Sequence, residues 1–415
     1  MIQTPDRRQI LALGATAVVA TPSSVLAQNS SDAALKGLLD EMAASPEALR
    51  KTAAENIARL DAFPPQGLSL SARLDRQSVL DLLGAWAATD RLFPDGAPKA
   101  GSARGVHYTL AVRAAGGPRI APHDVQRLTG DLIGSLNAEA DALLKAQGLG
   151  DGSVAHRLQT MMTMEGQLYP DSDAGRDQVV ADMNASLAKV RLRLDRAFDR
   201  LPPANLRVSR MSPADETAGR AGYRDAALGA YFVDLKNVRA RPRWTLPSVA
   251  FHEVSPGHLL QLAQPANPHP LRVRAAAGYS EGWAIYGEQL ADELGLYSND
   301  PLGRLGYLHW MLFRTARMAA DCGIHSQGWS RDQALSEMRR IQGPAIAFTT
   351  LERDVDQIAR NPGQTTAQAL MWREMVRLRQ AHKRRKAGRF ELPAFHRMII
   401  GHGPATAPAL ASALS

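Results

Sequence analysis

Apolar residues recur at steps of three and four along most of the chain, and alternating runs are few, so the pattern predicts a mainly α-helical protein. Amphipathic helices are predicted over 68 to 91, behind Pro64-Pro65, and from Pro122 to Ala146, where Asp124 complements the positive end of the helix dipole. The stripe Val179, Met183, Leu187, Val190, Leu194 and Phe198 predicts one helix from Asp173 to Leu201, ended by Pro202-Pro203. Further helices are predicted over 274–294, 301–323, 330–341 and 364–387, followed by Leu392 to Ile400. Gly295 and Asn299-Asp300-Pro301 supply stop and start signals among them. Residues 205 to 243 break the pattern. Within them Leu228 to Val238 reads as an extended segment, either an edge strand able to pair with a substrate backbone or a short structural hairpin.

The stretch that breaks the helical pattern most sharply is Phe251-His252-Glu253-Val254-Ser255-Pro256-Gly257-His258-Leu259-Leu260-Gln261. A histidine followed at once by a glutamate, with a second histidine shortly after, supplies two imidazole ligands and a general base in zinc hydrolases. There the histidines sit four residues apart, whereas His252 and His258 are six apart. In a regular helix six residues turn through about 600°, which leaves the two side chains roughly 120° apart. Pro256 removes an amide donor and pushes back the carbonyl of His252, so a broken turn at Pro256-Gly257 is predicted; if it absorbs two residues, both histidines share a face. Read by themselves, the same residues also suit a plain helix with one capping and one packed histidine.

Downstream, Ser280-Glu281-Gly282-Trp283-Ala284-Ile285-Tyr286-Gly287-Glu288 places Glu281 and Glu288 near one helical face, two turns apart. A carboxylate brought by a second helix to two histidines completes a three-ligand site open to water. Glu253 is then the candidate base, and Glu288 a candidate to orient a ligand histidine or else a surface acid paired with a basic neighbour. The remaining histidines show no ligand spacing, apart from His325 below, and the cluster Met161-Met162-Thr163-Met164 reads as core filling.

These segments resemble the bacterial family known as domain of unknown function 885, grouped with zincin-like metallopeptidases. The resemblance extends through Asp321-Cys322-Gly323-Ile324-His325, Gly328-Trp329, Arg331-Asp332-Gln333-Ala334, Pro362-Gly363-Gln364 and the run from Phe390 to Pro404, covering about residues 200 to 405. It implies a large zincin-like helical bundle enclosing a channel, with a small β hairpin or edge sheet before the metal helix. It also implies one Zn²⁺ held by His252, His258 and Glu281, with Glu253 as catalytic base. His325 matches a family histidine, which implies oxyanion stabilisation; a helix cap explains it equally. Arg317 could grip a substrate carboxylate, and Tyr231 and Gln364 are further candidates near the substrate. Where the family carries an arginine and two tyrosines, this chain has Gln357, Ile358 and Gln368, which points to a different substrate or weaker activity.

Composition narrows the setting. Met1 to Ala27 carries Arg7-Arg8, an apolar run from Ile10 to Ala20 and small residues before Gln28, as in an export signal of twin-arginine or plain secretory type. That places the protein in the periplasm or outside the cell, without a transmembrane anchor. Residues 28–200 then form an N-terminal helical region packed as one unit with a metal-binding region, 201–415. The single cysteine, Cys322, excludes an internal disulfide. A net charge of +8 and a pI near 9.8 come with no nucleic-acid motif, and the basic run Lys383-Arg384-Arg385-Lys386 reads as a solvated helix face. The expectation is an exported zinc metallohydrolase cleaving short peptides or peptide-like amides. An inactive or metal-free envelope binding protein, or a hydrolase of non-peptide amides or esters, is the alternative.

Overall fold

A computed structural model describes residues 22–200 and 205–414, with side chains from residue 28 onward. The expected export signal falls mainly on residues 1–21, outside the described residues; residues 22–27 belong to the helix Pro22–Ala44. Helices account for 70% of the described residues, and the strands among them form one small mixed sheet. Among the described residues no helix is long and apolar enough to cross a membrane.

The predicted helices form with few changes, and their caps explain where they start. Ser69 accepts from the amide of Ala72 at the head of Leu70–Leu92, and Ser330 with Gln333 makes a full capping box at the head of Arg331–Gln342. The stripe from Val179 to Phe198 is buried throughout, but its backbone is not one helix. It is α-helical over Asp173–Arg191 and then tightens into a 3₁₀ turn, Leu194–Arg196, with Leu192 pointed to solvent. The run predicted over 274–294 is also split, into Pro270–Ala275 and Tyr279–Glu293, because the amide of Gly278 leaves the helix to bond the carbonyl of Ala115 at 2.9 Å.

The sheet comprises β1 (Arg207–Arg210), β2 (Tyr223–Asp225) and β3 (Ala230–Val233), in the order β1-β3-β2. β3 pairs antiparallel with β2, as the hairpin reading expects, and parallel with β1 on its other side. The edge-strand reading of residues 228–238 is therefore corrected. Both backbone edges of β3 are taken, and any added strand would have to pair outside β2 or β1.

The largest of three apolar clusters among the described residues draws on both halves of the chain, from Leu74 and Leu158 to Phe395 and Leu410. Three helices converge in it: Leu246–Glu253, Tyr279–Glu293 and Pro301–Cys322. The closing residues return to the N-terminal half. Thr406 donates from its hydroxyl to Asp81 at 2.5 Å, Arg272 binds the backbone carbonyls of His402, Gly403 and Pro404, and Ala407–Leu414 packs on Leu70–Leu92.

His309 lies inside this core, fully buried against Trp244, and neither ring nitrogen has a hydrogen-bond partner. Burial pushes its pKa from 6.5 down to about 4. The unfolded chain therefore takes up a proton at this residue below pH 6.5 that the folded chain refuses until about pH 4. Its share of stability is present above 6.5 and lost as pH falls. At pH 5 the loss is roughly 2 kcal/mol. In His309→Leu, the difference in unfolding free energy between pH 7 and pH 5, read from urea melts, should shrink by about that amount.

Candidate metal centre

The helix Leu246–Glu253 ends where the sequence predicts, and the chain resumes helix at His258–Leu262. Between them the ladder is replaced by two wide bonds, Gly257 N to Phe251 O and Leu260 N to Val254 O, both 2.9 Å. Trp283, from the helix Tyr279–Glu293, pins the break by donating to the carbonyl of Pro256 at 3.0 Å. Position 257 demands glycine, since a Cβ there would lie 1.9 Å from the carbonyl oxygen of His252. The break rotates the second histidine onto the first. The two imidazoles stand edge to face, with ring centroids 4.8 Å apart.

Glu281 completes the group. Its carboxylate lies 3.4 Å from His252 Nε2 and 3.2 Å from His258 Nε2, and the three ligand atoms all fall within 4.8 Å of one another. Each histidine is fixed through its other nitrogen. Glu288 accepts from His252 Nδ1 at 2.7 Å, as the two-turn spacing from Glu281 suggests. Ser280 donates its hydroxyl proton to Gln261 at 3.0 Å, so it accepts from His258 Nδ1 at 3.0 Å. Held in this way, each ring turns its Nε2 toward Glu281, the nitrogen that a cation would take in place of a proton. His258 Nε2 is buried and makes no hydrogen bond of acceptable geometry. A buried nitrogen of this kind, converging with a second imidazole and one carboxylate, fits a small cation of zinc type.

The electrostatics agree. Burial and the Arg314 cation pull His252 down, but the Glu281 and Glu288 carboxylates outweigh them and raise it to about 9. Burial pushes Glu281 up, yet the imidazoles of His258 and His252 hold it well below the usual carboxylate range. Negative charge is thus held at Glu281, between the two imidazoles.

Glu253 sits beside the cluster and lines a cleft of about 220 Å³ together with His252, Glu281 and Tyr231. Its carboxylate is ion-paired with Arg224 of β2, a residue the sequence reading did not select. Tyr231 of β3 is buried, and its burial, with the nearby Glu253 charge, keeps the phenol protonated and able to donate. Arg317 lines the same cleft, its Nε donating to Asp354 at 3.0 Å. Arg314 was also missed. It lines the cleft one turn before Arg317 and pairs with Glu288 at 2.5 Å. Its spacing from Arg317 was the available signal; Arg224 offered none.

Two candidates lie elsewhere. His325 does not line the cleft; its Nε2 meets the carbonyl of Ile358 at 3.0 Å in the π-helical turn Gly323–Gln327. Gln364 lines a separate cavity with Arg50, Trp86 and His107, because the Pro362-Gly363-Gln364 segment begins the helix Gln364–Lys386. Asp321 caps that helix, accepting from the amides of Gly363 and Thr366 at 2.9 Å each. Gln357 is exposed, Ile358 is buried and Gln368 is half-buried; none of the three lines the cleft.

A family model described as "Bacterial protein of unknown function (DUF885)" matches residues 12–414. The chain belongs to that family. Membership thus reaches across the N-terminal half, where the sequence offered no motif. Two solved structures resemble this DUF885 protein, both described as candidate lipoproteins. One, from Colwellia psychrerythraea, is 25% identical with a TM-score of 0.67, covering 94% of this chain and 71% of its own. The other, from Shewanella oneidensis and described as of unknown function, is 16% identical with a TM-score of 0.60, covering 96% and 79%. It shares the fold. No curated protein matches the chain.

Proposed function

We propose that this DUF885 protein is a zinc-dependent hydrolase of the cell envelope that cleaves amide bonds in short peptides or peptide-like molecules. The observation that carries the reading is the convergence of two tautomer-fixed imidazole nitrogens and one carboxylate beside a further, unligated carboxylate in a cleft. His252, His258 and Glu281 would hold the ion. When bound, it supplies Lewis acidity, lowering the pKa of water from about 15.7 to roughly 7 and polarising a carbonyl.

The chain's own groups supply the rest. Glu253 takes the proton of the attacking water and returns it to the nitrogen that leaves as an amine. Arg224 orients the carboxylate of Glu253 by its ion pair. Tyr231, which lines the same cleft, would donate its hydroxyl proton in a hydrogen bond to the oxygen that gains charge as the carbonyl carbon becomes tetrahedral. The likeness to proteins described as candidate lipoproteins supports an envelope setting, as do Met1 to Ala27.

The test is turnover of a mixed di- and tripeptide library by zinc-loaded protein, followed by mass spectrometry. Glu253→Gln should keep the cleft and lower the rate by about 10²- to 10⁴-fold. Equal rates in the two proteins would reject Glu253 as the base. No cleavage by zinc-loaded wild-type protein, with aryl esters and acylated amines also inert, would reject the hydrolase.

A further inference from the structure

The cleft carries two guanidinium groups one helical turn apart, Arg314 and Arg317, on the helix Pro301–Cys322. Each is anchored on an acid behind it, Arg314 on Glu288 and Arg317, through Nε, on Asp354. The anchoring is incomplete. Arg314 Nη1 is buried and bonds to nothing, although every guanidinium N–H is a strong donor that is rarely left unpaired when desolvated. Aromatic rings lie beside both cations. The Arg314 guanidinium stands 5.6 Å from the centre of the Trp310 ring, and that of Arg317 stands 5.7 Å from the Phe313 ring.

The segment Ala347–Thr349 also lines the cleft. Phe348 is held there at a φ of 68°, with the Arg241 guanidinium 4.2 Å above its ring. A non-glycine residue in the left-handed region is a strained placement, of the kind that persists where a ligand wall is built. The space between these residues is about 220 Å³ and is open to solvent on one side.

Building on the hydrolase reading, we infer that this cleft takes the last residue of a peptide, an apolar or aromatic one, with its free C-terminal carboxylate gripped by Arg314 and Arg317. The preceding amide then lies at His252, His258 and Glu281, and the protein trims peptides from the C-terminus one residue at a time. A planar carboxylate matches the guanidinium forks of Arg314 and Arg317, both of which line the cleft. A free amino terminus in the same place would meet two cations. An uninterrupted chain would bring no carboxylate to the two guanidinium groups. The reaction balances as a hydrolysis: the C–N bond breaks, the water oxygen joins the carbonyl carbon, and its proton passes through Glu253 to the departing amine.

Binding is read first, on unmodified zinc-loaded protein, by titration calorimetry with 3-phenylpropanoic acid and 3-phenylpropanamide, neither of which offers a scissile peptide bond. A charge-assisted pair predicts that the acid binds about 10- to 100-fold tighter than the amide. Arg317→Gln should bring the two within a few-fold, with the melting temperature of each protein recorded beside it. Equal binding of acid and amide would overturn the inference. So would an acid preference that survives both Arg317→Gln and the milder Arg314→Lys, since the metal alone would then be holding the carboxylate.

Activity separates this inference from the reading beneath it. Benzyloxycarbonyl-glycyl-phenylalanine should be cleaved with a kcat/KM about 100-fold above that of its C-terminal amide. Equal cleavage of both would overturn the carboxylate grip and leave the hydrolase standing. Cleavage of neither, nor of any other peptide, would remove the hydrolase, and the inference of C-terminal trimming would fall with it even if the acid still binds.

Discussion

Zinc should be lost from the protein when His258 becomes alanine, and kept when Glu253 becomes glutamine. After zinc loading and desalting, plasma mass spectrometry should find about one ion per wild-type chain, the same in Glu253→Gln, and little in His258→Ala. The asymmetry follows from position. His258 is buried, its Nδ1 is committed to Ser280, and its Nε2 has no hydrogen bond of its own, so within this geometry the lone pair has a cation as its fitting partner. Glu253 lies one residue from His252 yet spends its carboxylate on Arg224. Full zinc content in His258→Ala would mean that the turn at Pro256-Gly257 serves packing alone.

Glu288→Leu should be the most damaging single change for stability, lowering the unfolding free energy by roughly 3–5 kcal/mol. Glu288 has no solvent exposure and takes a hydroxyl proton from Ser248, a ring proton from His252 and the charge of Arg314. Its removal strands the Arg314 cation, whose side chain is only 12% exposed and already has one unpartnered nitrogen. Adding Arg314→Met to Glu288→Leu should restore much of the loss, because deleting both charges costs less than leaving one. Urea midpoints of wild type, each single variant and the double variant give the coupling. A single Glu288→Leu within about 1 kcal/mol of wild type would show that water or rearrangement satisfies Arg314 instead.

The cluster was legible because its members sit close together in sequence and their chemistry is restrictive. His252, Glu253, His258, Glu281 and Glu288 occupy two short segments, and the one obstacle, a spacing of six, carried its own remedy in Pro256-Gly257. Burial was legible along Val179 to Phe198 even where helix gave way to a 3₁₀ turn, since an apolar stripe reports which side faces the core more faithfully than it reports the exact backbone. Arg224 could not be read. Its partner lies 29 residues away across a strand and a helix, and an arginine in a three-residue strand is ordinary in sequence. The placement of His325 and Gln364 likewise depends on how Gln364–Lys386 docks, through Asp321 and the hydrogen bond of 2.6 Å between the hydroxyls of Tyr108 and Thr366. The strand at 230–233 looked like an edge because β1, its parallel partner, is joined to it by a long connection that gives no local signal.

The return of residues 402–414 onto Leu70–Leu92 bears on how the chain matures. The contacts that close this end, Thr406 on Asp81 and Arg272 on three consecutive carbonyls, join segments 130 or more residues apart. Until residues near 410 are present, the part of Leu70–Leu92 that they cover lies bare, although Ala53–Asp61, Ala103–Ala114 and Pro270–Ala275 already pack on the same helix. Closure of this end thus waits on partners far apart in the chain, and a polypeptide cut before residue 402 should lose the clasp and leave part of Leu70–Leu92 bare.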